Sequence, residues 1–200
     1  TLSLLQSICP ANQIRLLFLN LEVNSGKAEA VRLGFLHMIQ QKNHEFIGFW
    51  DADLATPLSE IDSFLNVATI KSSKIVMGSR LQRLGATVIR KKSRHYLGRI
   101  FSTFASIILK LPVYDTQCGA KLFHHSITDI FNDQFCTKWL FDIELLARYR
   151  NKYGINETLN TVIEYPVNNW REVDGSKLKL KHMLSVPFEL LKIRNKYNRD

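Results

Sequence analysis

The feature that most constrains this chain is a repeated unit: a short apolar run, then a stretch with helical spacing. Residues 14–21 (IRLLFLNL), 45–50 (EFIGFW) and 74–78 (KIVMG) each have the pattern of a strand buried on both faces. Between the first two runs, Gly26 and Lys27 open a stretch that carries Ala30, Leu33, Gly34 and Met38 at helical spacing. Between the second and third, Thr56 suits an N-cap and Pro57 a first helical residue, for a helix running to about Ile70. Strand and helix in alternation predict an α/β fold, a mostly parallel sheet flanked by helices. Ligands bind such sheets beyond the carboxyl ends of the strands, and Asp51 and Ser79-Arg80 fall at such ends.

The rest of the chain continues the pattern less regularly. Residues 79–92 read as a loop. Residues 94–111 read as an amphipathic helix with Leu97, Ile100, Phe101, Phe104, Ile108 and Leu111 on one face. A turn at 115–119 leads into a short strand at 120–123. A helix at 141–153 is closed by Gly154 as its C-cap. Residues 158–167 read as a further strand, and 178–197 as a basic helical segment interrupted by Pro187.

Charge narrows the partners. The chain holds 27 Lys and Arg against 18 Asp and Glu, a net +9. Residues 63–114 carry ten Lys or Arg and no acid, and residues 177–200 carry seven against two. Such blocks favour phosphates or anionic lipid surfaces. Nucleic acid is not expected, because the aromatic residues lie in apolar runs and are not interleaved with cations as stacking platforms. The 3 cysteines are an odd number without metal-ligand spacing, which argues against a disulfide framework and for a reducing compartment. No apolar run approaches the roughly 20 residues of a spanning helix.

One short motif carries chemistry. Asp51-Ala52-Asp53 directly follows a buried run. Two carboxylates one residue apart at a strand end can share a hard divalent cation, and such an ion eases the departure of a diphosphate. A capped turn is the plain alternative for a bare Asp-x-Asp.

The order of motifs resembles the inverting family-two glycosyltransferases of the GT-A fold. The likeness is greatest to the dolichyl-phosphate β-glucosyltransferases and dolichol-phosphate mannose synthases. It rests on Asn24-Ser25-Gly26-Lys27, Asp51-Ala52-Asp53-Leu54-Ala55-Thr56, Gly78-Ser79-Arg80, Asp115-Thr116-Gln117-Cys118-Gly119-Ala120-Lys121-Leu122-Phe123, Trp139-Leu140-Phe141-Asp142-Ile143-Glu144, and the stretch from Trp170 to Leu178. The resemblance implies Asp51 and Asp53 as ligands of Mg²⁺ or Mn²⁺, and Gly26 and Lys27 near the nucleotide. It implies Arg80 and Arg94 as phosphate-binding and Gln117 and Gly119 in the sugar and acceptor region. Arg171, Ser176 and Lys177 match a basic motif that closes over phosphate. Asp142 stands where related transferases carry a base; a carboxylate that orients a neighbouring arginine is the alternative. Asp53, Asp142 and Arg80 are thus the implied catalytic residues.

The implied reaction passes a hexose from a nucleotide-sugar to a polyprenyl or dolichyl phosphate, with inversion. Leu54-Ala55-Thr56 is nearer to the Gly-Ala-Thr of the glucosyl branch, with Leu54 in place of the glycine. This favours UDP-glucose over GDP-mannose. The strands that precede the first helix in that family find no counterpart here, so the transferase domain, 1–178, is expected to be incomplete at its N-terminus. Residues 179–200 are expected as a basic amphipathic segment at the cytoplasmic face of a membrane. Two rival readings remain: a related transferase acting on a glycan or glycolipid hydroxyl, and an inactive domain that binds anionic membranes.

Overall fold

Two of the runs that read as buried strands, 45–50 and 74–78, join one sheet; the second is buried throughout, and the first, expected buried on both faces, is buried only in part because it stands at the edge of that sheet. The computed structural model describes residues 19–41, 44–90, 92–173 and 180–197, with the side chains of 92–94 and 180–184 excepted. The expected strand at 14–21 lies mostly outside the described residues. In chain order come α1 (Lys27–Gln40), β1 (Phe46–Trp50), a 3₁₀ turn at Leu58–Glu60, α2 (Ile61–Ile70), β2 (Ile75–Ser79) and β3 (Thr87–Ile89). Then follow α3 (Lys92–Leu109), β4 (Ala120–His124), a 3₁₀ stretch at His125–Phe131, and α4 (Phe141–Tyr153). The last elements are α5 (Ile155–Thr161), β5 (Val162–Pro166), β6 (Asn169–Arg171) and α6 (Leu180–Tyr197).

The main sheet has the order β1-β4-β2-β5. β4 runs antiparallel to both β1 and β2, whereas β2 and β5 are parallel. The sheet is therefore mixed, a correction to the mostly parallel expectation. The crossover through α2 makes β1 and β2 run the same way but leaves a slot between them. β4 enters that slot from the opposite end. A second, two-stranded sheet pairs β3 with β6 in parallel. Sequence reading took β3 for loop, because three residues show no period of their own and are strand only through a distant partner.

Two local expectations also change. Thr56 does not cap α2: its Oγ1 lies 3.7 Å from the Cys118 sulfur in the interior. Pro57 is extended, and the chain enters α2 through the 3₁₀ turn. Residues 158–161, expected as strand, close α5 instead, with Thr158 and Thr161 hydroxyls donating to carbonyls four residues back. Gly154 ends α4 at φ 85°, as expected of a C-cap glycine.

The core lies between the sheet and α1, α3, α4 and α6. At its centre Phe35 stacks on Phe131, with ring centroids 3.8 Å apart, and meets Phe123 edge-on at 5.4 Å. Each such buried ring contributes about 1.5–3 kcal/mol through removal from water. α6 packs against both α3 and α4. Buried Glu144 ties that helix down. It accepts from the Cys136 and Thr137 amides, the Thr137 hydroxyl, the Arg148 guanidinium and the Tyr197 hydroxyl. Glu144→Ala should cost about 3–5 kcal/mol, because Arg148 would lose its buried partner. Urea denaturation followed by circular dichroism measures this.

Candidate functional site

β1 delivers the Asp51-Ala52-Asp53 motif to the end of the sheet. The Asp51 amide donates to the Gly119 carbonyl at 2.8 Å, which continues the β1–β4 ladder by one step. Gly119 is needed there: a Cβ at this position would come within 2.0 Å of an Asp51 carboxylate oxygen. The turn after Asp51 closes with the Leu54 amide donating to the Asp51 carbonyl at 3.0 Å. Leu54 adopts φ 51°, the left-handed region. That explains why glycine is usual at this position in the resembling family: a Cβ costs about 1–2 kcal/mol in this conformation. Asp53 Oδ1 accepts the Ala55 amide at 3.0 Å, which fixes the second carboxylate.

Lys27, the first residue of α1, reaches Asp51 Oδ1 at 2.6 Å. Its ammonium also stands over the Phe49 and Phe141 rings, at 5.8 and 5.6 Å. Gly26 precedes it as the helix N-cap at φ 85°. The Asp51 carboxylate is thus already charge-balanced by one flexible, half-exposed cation.

Arg80 follows β2 and is held from two sides. Its Nε and Nη2 donate to the two Asp115 carboxylate oxygens at 2.7 and 2.8 Å, and its amide donates to Oδ2 at 2.9 Å. The guanidinium lies over the Trp170 ring at 5.4 Å. Burial acts most strongly on Asp115 and would push its pKa up. The charge and hydrogen bonds of Arg80 overcome this and hold the carboxyl well below the usual carboxylate range. Arg80 is fixed in its charged form by the same pairing, against the effect of burial. Glu164 on β5 braces the Asp115 turn by accepting the Tyr114 and Asp115 amides, at 2.7 and 3.1 Å. Burial raises the Glu164 carboxyl more than those two amides lower it.

These groups share one cleft of about 800 Å³. Lys27, Asp51, Asp53, Arg80, Gln117 and Gly119 line it, as the sequence led us to expect of neighbours. Asp142 is buried and pairs with Lys121 at 2.6 Å, and it is not among the cleft-lining residues. Arg171 has an exposed side chain and is also not among them; its amide donates to the Ala55 carbonyl at 3.2 Å. Gly26 stands beside the cleft but does not line it. The Arg94 side chain, Ser176 and Lys177 lie outside the described residues.

Sequence reasoning missed three contributors. Asp115 holds Arg80. Arg90, just past β3, lines the cleft, with its guanidinium packed where a Cβ on Gly98 would come within 2.8 Å. Arg99 also lines it, donating to the Tyr114 carbonyl at 3.2 Å with its cation 3.6 Å over the Tyr114 ring. The acid-free block of residues 63–114 was the available signal, but it could not say which of its ten cations turn inward.

Apolar side chains line the cleft as well. Leu97, Ile100 and Phe104 of α3 do so while remaining about half exposed, and so do Pro187 and Leu191 of α6. The expected apolar stripe of α3 is in fact split. Phe101 and Ile108 pack on the core, whereas Leu97, Ile100 and Phe104 stay open. No helix among the described residues is long and apolar enough to cross a membrane.

The two carboxylates suit a hard divalent cation. Such an ion is commonly held by one or two carboxylates plus substrate phosphates and water. The bare Cα of Gly119 leaves room at the Asp51 carboxylate. Among the described residues no group of three or more His, Cys, Asp or Glu could hold a metal by itself, so the remaining ligands would come from substrate and water.

Residues 1–131 match the family described as Glycosyl transferase family 2. A dolichyl-phosphate beta-glucosyltransferase of Trichomonas vaginalis is 35% identical over 187 residues, 90% of this chain and 52% of the relative. The dolichyl-phosphate beta-glucosyltransferase of Saccharomyces cerevisiae is 32% identical over 170 residues, 78% of this chain and 48% of the relative. The chain spans about half the length of the curated relatives it matches. Among solved structures, glucosyl-3-phosphoglycerate synthase from Mycobacterium tuberculosis shares the fold. Its complex with Mn²⁺, UDP-glucose and glycerol 3-phosphate superposes with a TM-score of 0.53 at 14% identity, covering 86% of this chain and 55% of that one. Its complex with UDP gives 0.55 at 16% identity, covering 88% and 57%.

Two predictions follow from this geometry. Leu54→Gly relieves the left-handed leucine, about 1–2 kcal/mol, against about 0.5–1 kcal/mol of added chain freedom, so a small rise in thermal midpoint is expected. Asp115→Asn should cost about 3–5 kcal/mol at neutral pH by leaving the mostly buried Arg80 without its counter-charge. The pairing stabilises the fold at pH above the unfolded carboxyl value of about 3.9. It is lost as pH falls through the depressed folded value. The gap between wild type and variant should therefore narrow from pH 5 towards pH 2, as read by urea titrations across that range.

Proposed function

Because this chain belongs to glycosyl transferase family 2, we propose that its cleft transfers glucose from UDP-glucose to a polyprenyl phosphate of the dolichyl type, with inversion. The observation that carries this reading is the continuity of the cleft. Carboxylates, guanidinium groups and exposed apolar side chains of two helices all line it. An acceptor that is a phosphate at one end and a hydrocarbon chain at the other matches both kinds of lining. The names of the relatives supply the sugar and the lipid, and the neighbour's complex supplies the precedent of UDP-glucose with Mn²⁺. GDP-mannose is the less favoured donor.

Mg²⁺ or Mn²⁺ at Asp51 and Asp53 would neutralise the donor diphosphate and improve it as a leaving group. The chain's own residues do the rest. Two anions must meet, so their repulsion is the barrier to remove. Arg80, Arg90 and Arg99 supply fixed positive charge, and planar guanidinium forks suit phosphate oxygens. Asp115 keeps Arg80 from reorganising, so its charge is oriented before substrate arrives. We assign Arg94 to phosphate binding beside Arg80, Arg171, Ser176 and Lys177 to the closing of the same phosphate region, and Gln117 and Gly119 to the sugar and acceptor region. The acceptor phosphate oxygen attacks the anomeric carbon from the face opposite the departing UDP. The α-linked donor sugar becomes a β-linked product. A phosphate is anionic at neutral pH and needs no base to attack.

A hydroxyl acceptor would need a base. Asp142, held by Lys121 and absent from the cleft lining, favours the phosphate reading over that one. The exposed apolar residues Tyr96, Ile107 and Phe188, beside basic segments, suit a membrane surface. We place the site on its cytosolic side.

The test uses the whole gene product in detergent with radiolabelled UDP-glucose and dolichyl phosphate. Label should pass into the organic phase with Mn²⁺ present and return to background with Asp53→Asn. Phe104→Asp should raise the KM for dolichyl phosphate about tenfold or more, the scale of losing one buried apolar contact, and leave the KM for UDP-glucose unchanged. No organic-phase label with any common sugar donor would end the proposal.

A further inference from the structure

Lys121 and Asp142 are 1% and 4% exposed, yet their charged atoms lie 2.6 Å apart. The Lys121 ammonium also donates to the Cys118 carbonyl at 2.6 Å and stands 5.4 Å over the Phe49 ring. Two charges taken so far from water are costly unless their geometry is held on all sides. Neither residue lines the cleft, so neither touches a substrate there. What the pair touches is the frame of the carboxylate motif. Cys118 immediately precedes Gly119, whose carbonyl accepts the Asp51 amide and whose bare Cα packs against the Asp51 carboxylate. Lys121 stands opposite Phe49 in the β1–β4 register, two residues before Asp51. Asp142 lies in the first turn of α4, where a helix N-terminus favours a carboxylate. The helix is thus a fixed anchor, and Lys121 is the strut from it to the turn that seats Asp51.

We propose that Lys121 and Asp142 form a buried positioning pair that fixes the Cys118–Gly119 turn, and through it the Asp51 carboxylate, in the geometry a divalent cation requires. Asp142 acts through Lys121 and takes no proton from the acceptor. The inference rests on the transferase reading for its kinetic arm and on the carboxylate motif alone for its binding arm.

Lys121→Met, Asp142→Asn and the double variant are compared with wild type. In the binding arm, Mn²⁺ is titrated into this 200-residue chain and free ion is read by electron paramagnetic resonance. Each single variant should bind about tenfold more weakly, the low end of what changes behind a metal-ligating group cost. The double variant should be no weaker than the worse single, because the two residues act as one unit. In the kinetic arm, on the whole gene product, the Mn²⁺ needed for half-maximal transfer should rise by the same factor. The KM for dolichyl phosphate should stay unchanged, Asp142→Asn should keep the acid limb of the pH–rate profile, and Lys121→Arg should recover most of the loss.

Additive losses, wild-type Mn²⁺ binding in both singles, or loss of the acid limb in Asp142→Asn alone would overturn the pairing. If either single variant unfolds, Lys121→Met/Asp142→Leu replaces the pair with apolar side chains, a change buried ion pairs often tolerate. Tenfold weaker Mn²⁺ binding by that folded protein supports the proposal, and unchanged binding refutes it. A wild type without transfer activity would overturn the transferase reading, and the Mn²⁺ titration would still decide the role of the pair.

Discussion

The hydrogen bond from the Asp51 amide to the Gly119 carbonyl holds the site together. It is the last step of the antiparallel pairing of β1 with β4, and it joins two stretches almost seventy positions apart in sequence. One brings the carboxylates; the other brings the turn from Asp115 to Gly119 that grips Arg80. Without β4 in the slot between β1 and β2, the acidic motif and the cations would end on separate strands with nothing to set their distance. A single backbone contact at a strand end therefore does what a loop could not: it makes the relative position of opposite charges a property of the sheet.

The electrostatics of the cleft follow from that frame. Several of the charged groups facing it are restrained by a neighbour. Lys27 sits on Asp51, Asp115 on Arg80, and Glu164 accepts the amides that carry Asp115. Such pairing limits how much any one side chain must reorganise when an anion enters. It also means that the net positive charge of the chain is a poor guide to the cleft, where acids and bases are nearly interleaved.

Much of this was legible in the sequence. β1, β2, β4 and α4 are strong local signals, apolar runs or helical periods with clear ends, and they fell within a residue or two of their places. The Asp-x-Asp motif and Arg80 read as strand-end residues and do share one cleft. What was not legible depended on distant partners. β3 and β6 exist only by pairing with each other. Thr56 has every local mark of an N-cap, but the sulfur of Cys118 claims its hydroxyl. The orientation of β4 could not be read from a run that looks the same in either direction. Lys121 sits in an apolar strand, where a lysine would ordinarily point to water; only the fold shows that a carboxylate on α4 waits for it. Leu54 is an instructive case, because the missing glycine was visible and its left-handed backbone was not.

The division of α3 into a face that meets the core and a face left open has a kinetic consequence. A helix that offers Leu97, Ile100 and Phe104 outward invites a two-dimensional encounter on the proposed membrane surface. Reaction rates at such a surface scale with the mole fraction of acceptor among the surrounding lipids and not with its bulk amount. Diluting the acceptor with inert lipid would then slow turnover even when the total quantity in the tube is held constant.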